Sequence, residues 1–222
     1  MEVKVNEKEI CFIMCTNNQR YMEEALYYIT HLNVPKGYEI TFLAVEDAKS
    51  MTAGYNEGMC ASEAKYKVYL HQDTFIVHRD FLVDSIRLFE ENPQVGMIGM
   101  IGIPKMPESG IMWDGERVGS VYESHIYETV ILGNSISKDQ GYAEVEAIDG
   151  LLMMTGYDIP WREDIFNKWD FYDASQSMEF VKNGYKVVVP NMDKPWVLHD
   201  CGLLNKDNYE EERLKFVKEY LA

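Results

Sequence analysis

Tyr66-Lys67-Val68-Tyr69-Leu70-His71-Gln72-Asp73 is the stretch on which the reading of this chain turns. Tyr66 to Leu70 has the aromatic and β-branched content of a buried strand. It runs straight into His71, Gln72 and Asp73, which puts a carboxylate where a strand reaches the edge of its sheet. Working outward, Ile10 to Cys15 reads as another buried strand. Thr16-Asn17-Asn18 then offers turn and N-cap chemistry, and Met22, Ala25, Leu26, Ile29 and Leu32 follow at helical spacing. Glu39 to Val45 is a second strand closed by Glu46-Asp47, and a helix is predicted over Met51 to Ala64. On the far side of Asp73, Asp80 is placed to cap a helix whose apolar face is Phe81, Leu82, Ser85, Ile86 and Phe89, before the apolar segment Val95 to Ile103. This alternation of strand and helix predicts an α/β fold, a mainly parallel mixed sheet with helices on both faces. Ligands of such sheets bind at the carboxyl ends of the strands. The residues to inspect are therefore Thr16, Asn17 and Asn18, then Glu46 and Asp47, then His71, Gln72 and Asp73.

The pattern weakens after Gly102. Residues 104–142 carry seven of the chain's prolines and glycines with Trp113 and several tyrosines, and they read as a long excursion with few regular elements. Strand-like segments return at Ala143 to Ala147 and Leu151 to Thr155, around Asp149-Gly150. Asp173 is placed to cap a helix running to Asn183 with Gly184 beyond it, Tyr185 to Val189 is a late strand, and Asp207-x-x-Glu210 has the form of a capping box. That last helix, 207–222, would pack through Leu214, Val217 and Leu221. One domain over 1–222 accounts for these elements.

Composition bounds the rest. With 222 residues, 46% of them apolar, the chain can bury roughly 70% of its unfolded surface and has no need of a staple. The formal charge of −16 repels phosphate backbones, which argues against nucleic acid as a ligand. It equally repels a nucleotide diphosphate, so a site for one would require a metal ion or a local basic cluster. Cys11, Cys15, Cys60 and Cys201 show no C-x-x-C and no zinc-like spacing, and are expected as reduced, mostly buried thiols of a cytoplasmic protein. No apolar N-terminal segment resembles a signal peptide, and no run approaches the ~20 residues of a membrane span. Nothing in the sequence excludes a homo-oligomer.

Each candidate position carries two readings. Asp73 is suited to a hard divalent cation shared with substrate phosphates, or is a loop cap or the partner of Arg79 or Arg87. Glu46-Asp47 can accept from a ribose or base, or be an exposed acidic turn. Gly54 and Gly58, around Tyr55-Asn56-Glu57, mark either a ligand or a tight helix–sheet crossing. Asp173 is a general base or a plain N-cap, and His199 a ligand or a structural histidine. P-loop, G-x-S-x-G and H-E-x-x-H motifs are missing, as is the Gly-rich, Arg-containing loop of a sugar-phosphate nucleotidyltransferase.

Taken in order, these pieces resemble the family 2 type of GT-A glycosyltransferase, over roughly residues 8 to 205. The carriers are the opening strand with Thr16-Asn17-Asn18, Glu46-Asp47, Gly54-Tyr55-Asn56-Glu57-Gly58, and Tyr69 to Asp73 in the position of a D-x-D motif. His71-Gln72-Asp73 with Val77 to Phe81, Asp149 to Met153, Phe171-Tyr172-Asp173, Gly184 to Pro190 and His199 after Trp196 are similar to the streptomycin-biosynthesis-type glycosyltransferase-like domain. His71 stands where the first D-x-D acid would be. Tyr172-Asp173 stands where the usual pair is Glu-Asp, which leaves one carboxylate; inverting transfer needs only one base.

The resemblance implies sugar transfer from a UDP-, GDP- or dTDP-linked donor to a hydroxyl of a glycan or small molecule. It implies nucleotide contacts from Thr16, Asn17, Asn18, Glu46, Asp47, Asn56 and Gln72, and Mn2+ or Mg2+ at Asp73 with His71 and His199. It implies Asp173 as base, with Asp149, Gly150 and Trp113 on the sugar or acceptor side. A catalytically inactive relative that binds a nucleotide, a glycan or a partner is the alternative, and a different nucleotide-using α/β transferase is the third.

Overall fold

The structure is a computed structural model that describes residues 5–134, 136, 141–203 and 206–222. The parts of the excursion at 135 and 137–140, and residues 204–205 of the stretch similar to the family, lie outside the described residues.

Strand β1 (Asn6–Thr16) leads into α1 (Gln19–Thr30), followed by β2 (Glu39–Glu46), α2 (Met51–Ala61) and β3 (Ala64–Leu70). Next come β4 (Thr74–Ile76), α3 (Phe81–Glu91), β5 (Val95–Gly99) and β6 (Ile101–Ile103), so the apolar run Val95 to Ile103 breaks into two strands at Met100. The remainder is β7 (Val118–Ser124), β8 (Thr129–Asn134), β9 (Tyr142–Val145), β10 (Ala147–Ile148), β11 (Leu152–Thr155), α4 (Tyr172–Lys182), β12 (Lys186–Pro190), β13 (Val197–His199) and α5 (Tyr209–Phe216).

Among the described residues the strands form two sheets. The larger runs β2-β1-β3-β11-β5-β12-β9, with β11 and β9 antiparallel to their neighbours and the others parallel. Ile10 to Cys15 are buried on both faces of β1, as a central parallel strand requires. The smaller sheet runs β10-β6-β7-β13-β4, with β8 paired to β7. Among its described residues the excursion is irregular over 104–117 but then more regular than expected: β7 and β8 form a hairpin whose ladder extends from Gly119–Asn134 to Ser124–Thr129. Its glycines hid the strands. A Cβ at Gly119 or Gly133 would collide with backbone of the neighbouring strand, so these residues allow close approach rather than breaking the ladder.

Local chemistry confirms some expected helix ends and corrects others. Asn18 caps α1, its side chain accepting from the amides of Arg20 (3.1 Å) and Tyr21 (3.4 Å). Phe81, Leu82, Ser85, Ile86 and Phe89 all face the core, yet Asp80 does not cap α3, because its carboxylate accepts from Asn33 Nδ2 at 2.7 Å. Asp173 is not a cap either: Phe171, in the left-handed region at φ +58°, precedes a helix that starts at Tyr172. Asn208 rather than Asp207 precedes α5, and Glu210 turns to Arg213 at 2.6 Å instead of closing a capping box. Of the expected packing positions Leu214 is exposed, while Leu221 packs against the core beside Phe216 and Tyr220, which meet Phe166. Two of the four free thiols, Cys11 and Cys15, are buried; Cys60, near the end of α2, is exposed and Cys201, beyond β13, is half-buried.

Gly54 and Gly58 mark a tight crossing of α2 over β1. A side chain at Gly54 would run into Cys15 and Ala48, and one at Gly58 into Ile13. No helix among the described residues is long and apolar enough to cross a membrane.

Candidate active site

β1, β2 and β3 end side by side, and their final residues open a cleft of about 520 Å³ lined by Thr16, Asn17, Asp47, His71, Gln72, Asp73 and Trp169 among others. Gln72 fastens this edge together. Its side-chain oxygen accepts from Thr16 Oγ1 (2.9 Å) and from the amides of Asn17 and Asn18 (both 3.0 Å), and its Nε2 donates to Asn17 Oδ1 (2.9 Å). Asp47 stands at the end of β2 with φ +54°, a conformation costly for a residue with a side chain and typical of functional sites. Glu46 is exposed at the same edge without lining the cleft. Asn56 is used differently: its amide exchanges hydrogen bonds with the backbone of Trp161, at 3.0 and 2.8 Å, and fixes α2 to the following loop.

Asp73 pairs with neither Arg79 nor Arg87, which go to His31 O and Asp84. Instead two imidazoles flank it, with His71 Nδ1 at 3.9 Å and His199 Nε2 at 3.6 Å from Asp73 Oδ1. Both separations are too long for hydrogen bonds. Asp73 Oδ1 is buried with no hydrogen-bond partner among the described residues, and such an oxygen is costly unless something binds it. The ligand atoms of His71, Asp73 and His199 lie within 4.8 Å of one another. One carboxylate and two imidazoles around an unsatisfied oxygen fit a divalent cation.

The charges of the two histidines differ. Burial and the neighbouring His199 push His71 down to about 4, so it is neutral. Its Nε2 meets the Tyr172 hydroxyl, and with Nε2–H donating there, Nδ1 directs its lone pair toward Asp73. Burial opposes charge on His199, but the carboxylates of Asp73 and Glu123 on either side raise it to about 10. Its Nδ1 is 3.1 Å from Glu123 Oε2.

A second cleft, of about 600 Å³, shares His71 and Trp169 with the first and continues past Asp149, Asp173, Trp113, Glu123 and His199. The turn at Asp149-Gly150 joins β10 to β11, and its amides orient both acids. Leu151 N donates to Asp149 Oδ1 (2.8 Å), Gly150 N to Asp173 Oδ2 (2.9 Å) and Ala174 N to Asp173 Oδ1 (2.7 Å). Burial, and then the charge of Asp149, raise Asp173 above the usual carboxylate range, and burial raises Asp149 as well. Such a carboxylate is suited to take up a proton. Trp113 borders this cleft with Arg117 5.8 Å over its ring. Tyr127 is almost wholly exposed, and Tyr122 lines a separate groove with His78 and Trp196.

The structure thus gathers Thr16, Asn17, Asp47, Gln72, Asp73, His71, His199, Asp149, Gly150, Asp173 and Trp113 around two connected clefts, with Asn18 held at their edge. Sequence reasoning passed over Glu123, Trp169 and the role of Tyr172. Glu123 reaches the site only because β7 lies parallel to β13 with His199 opposite it.

Several solved structures share this fold. TarS from S. aureus aligns with a TM-score of 0.56 at 11% identity, covering 95% of this chain and 39% of that one. TarS 1–349 in complex with UDP-GlcNAc gives 0.54 and 10%, covering 95% and 66%. The mannosyltransferase PcManGT from Pyrobaculum calidifontis, in complex with GDP-Man and Mn2+, gives 0.55 and 12%, covering 96% and 61%. The chain spans about two fifths of the TarS chain and 61% of PcManGT. Likeness at these identities is one of fold, and the fold is GT-A. No curated protein matches the sequence significantly. A family model described as glycosyltransferase-like matches residues 11–220, nearly the whole chain, and the protein belongs to that family.

Proposed function

We propose that this protein transfers a sugar from a nucleotide-diphosphate donor to an acceptor hydroxyl, with a divalent metal and with inversion. The observation that carries the reading is the unsatisfied buried oxygen of Asp73, set between two imidazoles where two clefts meet at the carboxyl edge of the sheet. The first cleft has no Lys or Arg among its lining residues, so a diphosphate entering it requires a cation. Asp73, His199 and His71 would hold Mn2+ or Mg2+, which neutralises diphosphate charge when bound. The nucleotide lies over Thr16, Asn17 and Asp47. Neighbours of this fold hold UDP-GlcNAc, and GDP-Man with Mn2+, which supports UDP- and GDP-linked donors; dTDP belongs to the same test.

The acceptor lies in the second cleft against Trp113 and Asp149. As its oxygen attacks the anomeric carbon from the face opposite the diphosphate, Asp173 takes its proton. Within the family, the wording of the His71-to-Asp73 and Phe171-to-Asp173 segments supports the streptomycin-biosynthesis type.

Titration calorimetry of UDP, GDP and dTDP, each with and without Mn2+, tests the reading. One nucleotide is expected to bind only with metal, and Asp73→Ala to abolish that binding. Metal-independent binding that survives Asp73→Ala would overturn the metal assignment. Nucleotide binding without turnover over a wide donor and acceptor panel would favour a catalytically inactive binder, the reading motivated by Tyr172 at the position of the second acid.

A further inference from the structure

β7 and β13 run parallel with Leu198 opposite Tyr122 and His199 opposite Glu123. Side chains two apart along a strand share a face, so His125 follows Glu123 and Cys201 follows His199 as the chains leave the ladder. The result is a small grid of four ligand-type side chains; Glu123, His125 and His199 line the second cleft, and only His199 is assigned above as a metal ligand. In the other three, the ligand atoms of Glu123, His125 and Cys201 lie within 4.8 Å of one another.

We propose that Glu123, His125 and Cys201 form a second metal site that takes a soft or borderline divalent ion, Zn2+ above all. Thiolate, imidazole and carboxylate together are a zinc donor set, unlike the oxygen-rich sets of Mg2+ and Ca2+. A tetrahedral zinc, with Zn–S about 2.3 Å and Zn–N about 2.0 Å, holds those two atoms about 3.5 Å apart. Cys201 Sγ and His125 Nδ1 are 3.3 Å apart. Glu123 accepts from His199 through Oε2, and its other oxygen serves the ion. His125 is exposed and gives the ion an entry path. Three protein ligands leave a fourth position for water or a substrate group. Binding releases the Cys201 thiol proton to solvent. Because Glu123 also holds His199, the ion at this site orients a ligand of the first.

The test uses the whole chain, stripped with a chelator and titrated with Co2+. Wild type is expected to develop a thiolate-to-cobalt charge-transfer band that saturates at one equivalent and is displaced by Zn2+. Cys201→Ser loses the band, while Asp73→Ala and Cys60→Ser keep it. Zn2+ affinity, read against a chromophoric chelator, falls about tenfold or more in His125→Ala and in Cys201→Ser, as expected for loss of one ligand. No band in folded wild type, a band that survives Cys201→Ser, or one that requires Asp73 would overturn the proposal. None of these readouts depends on a nucleotide, so failure here leaves the transferase reading untouched.

Discussion

Tyr172→Phe removes one oxygen from the centre of the site and little else. The ring lies among Tyr55 and Trp161, with centroids 5.9 and 6.3 Å away, and phenylalanine retains that packing. What disappears is the hydroxyl on His71 Nε2. Without it the half-buried imidazole loses the partner of its Nε2, and the tautomer that turns Nδ1 toward Asp73 is no longer favoured. An unsatisfied buried group costs about 1–3 kcal/mol of stability, which in a chain of this size lowers Tm by roughly 2–4 °C for each kcal/mol. Loss of a group that orients a metal ligand typically costs about 10–100-fold in metal affinity, equivalent to ~1.4–2.7 kcal/mol. The assay is calorimetric titration of Mn2+ into wild type and variant, each with saturating nucleotide, beside a thermal melt. A variant that melts lower but binds Mn2+ within about twofold of wild type, under ~0.5 kcal/mol, would refute the claim that Tyr172 acts through His71.

Tyr55→Phe is the contrasting case. Its hydroxyl is buried with no partner among the described residues, so its removal is expected to leave stability unchanged or raise it by up to ~1 kcal/mol in chemical denaturation. Gly54→Ala places a methyl against Cys15 and against Ala48 Cβ at 2.9 Å, and is expected to destabilise by about 1–3 kcal/mol through overpacking. On the proposed reading Asp173 is the ionised base, so its raised pKa predicts a pH profile of transfer in which activity is lost as pH falls through a value above the ~3.9 of an ordinary aspartate. Asp149→Asn removes the neighbouring charge and should move that acid limb to lower pH; a limb that stays in place would exclude Asp173 as the titrating group.

The half of the fold from Ile10 to Ile103 was legible because its signals are local. Apolar runs buried on both faces, the Asn18 cap and the helical period of Phe81 to Phe89 all act within a few residues. The strand pattern did not reveal that Lys67 within it is buried, its Nζ 2.9 Å from both oxygens of Asp158. Only the antiparallel pairing of Thr155 with Lys67 carries the chain around so that Asp158 can reach it. Beyond Gly102 the determinants are long-range. Glu123 enters the site through a ladder with residues 76 positions away, and Tyr172 through contact with His71. The two departures from the family motif, His71 and Tyr172, looked independent in sequence and are one hydrogen-bonded pair in space. Asp173 was read as standing at a helix start and lies in the first turn of α4, while the residue before that helix is Phe171, whose side chain makes no cap.

The clasp formed by Gln72 has a thermodynamic consequence. This residue lies between His71 and Asp73 and holds three donors from Thr16, Asn17 and Asn18. The loop that would receive the nucleotide and the loop that would hold the cation therefore share one anchor, and an ordering of either is felt by the other. Two ligands joined in this way are subject to reciprocity: the factor by which Mn2+ strengthens nucleotide binding equals the factor by which nucleotide strengthens Mn2+ binding. On the proposed reading part of that coupling free energy would reside in the Gln72 amide, and Gln72→Ala is expected to lower both factors together.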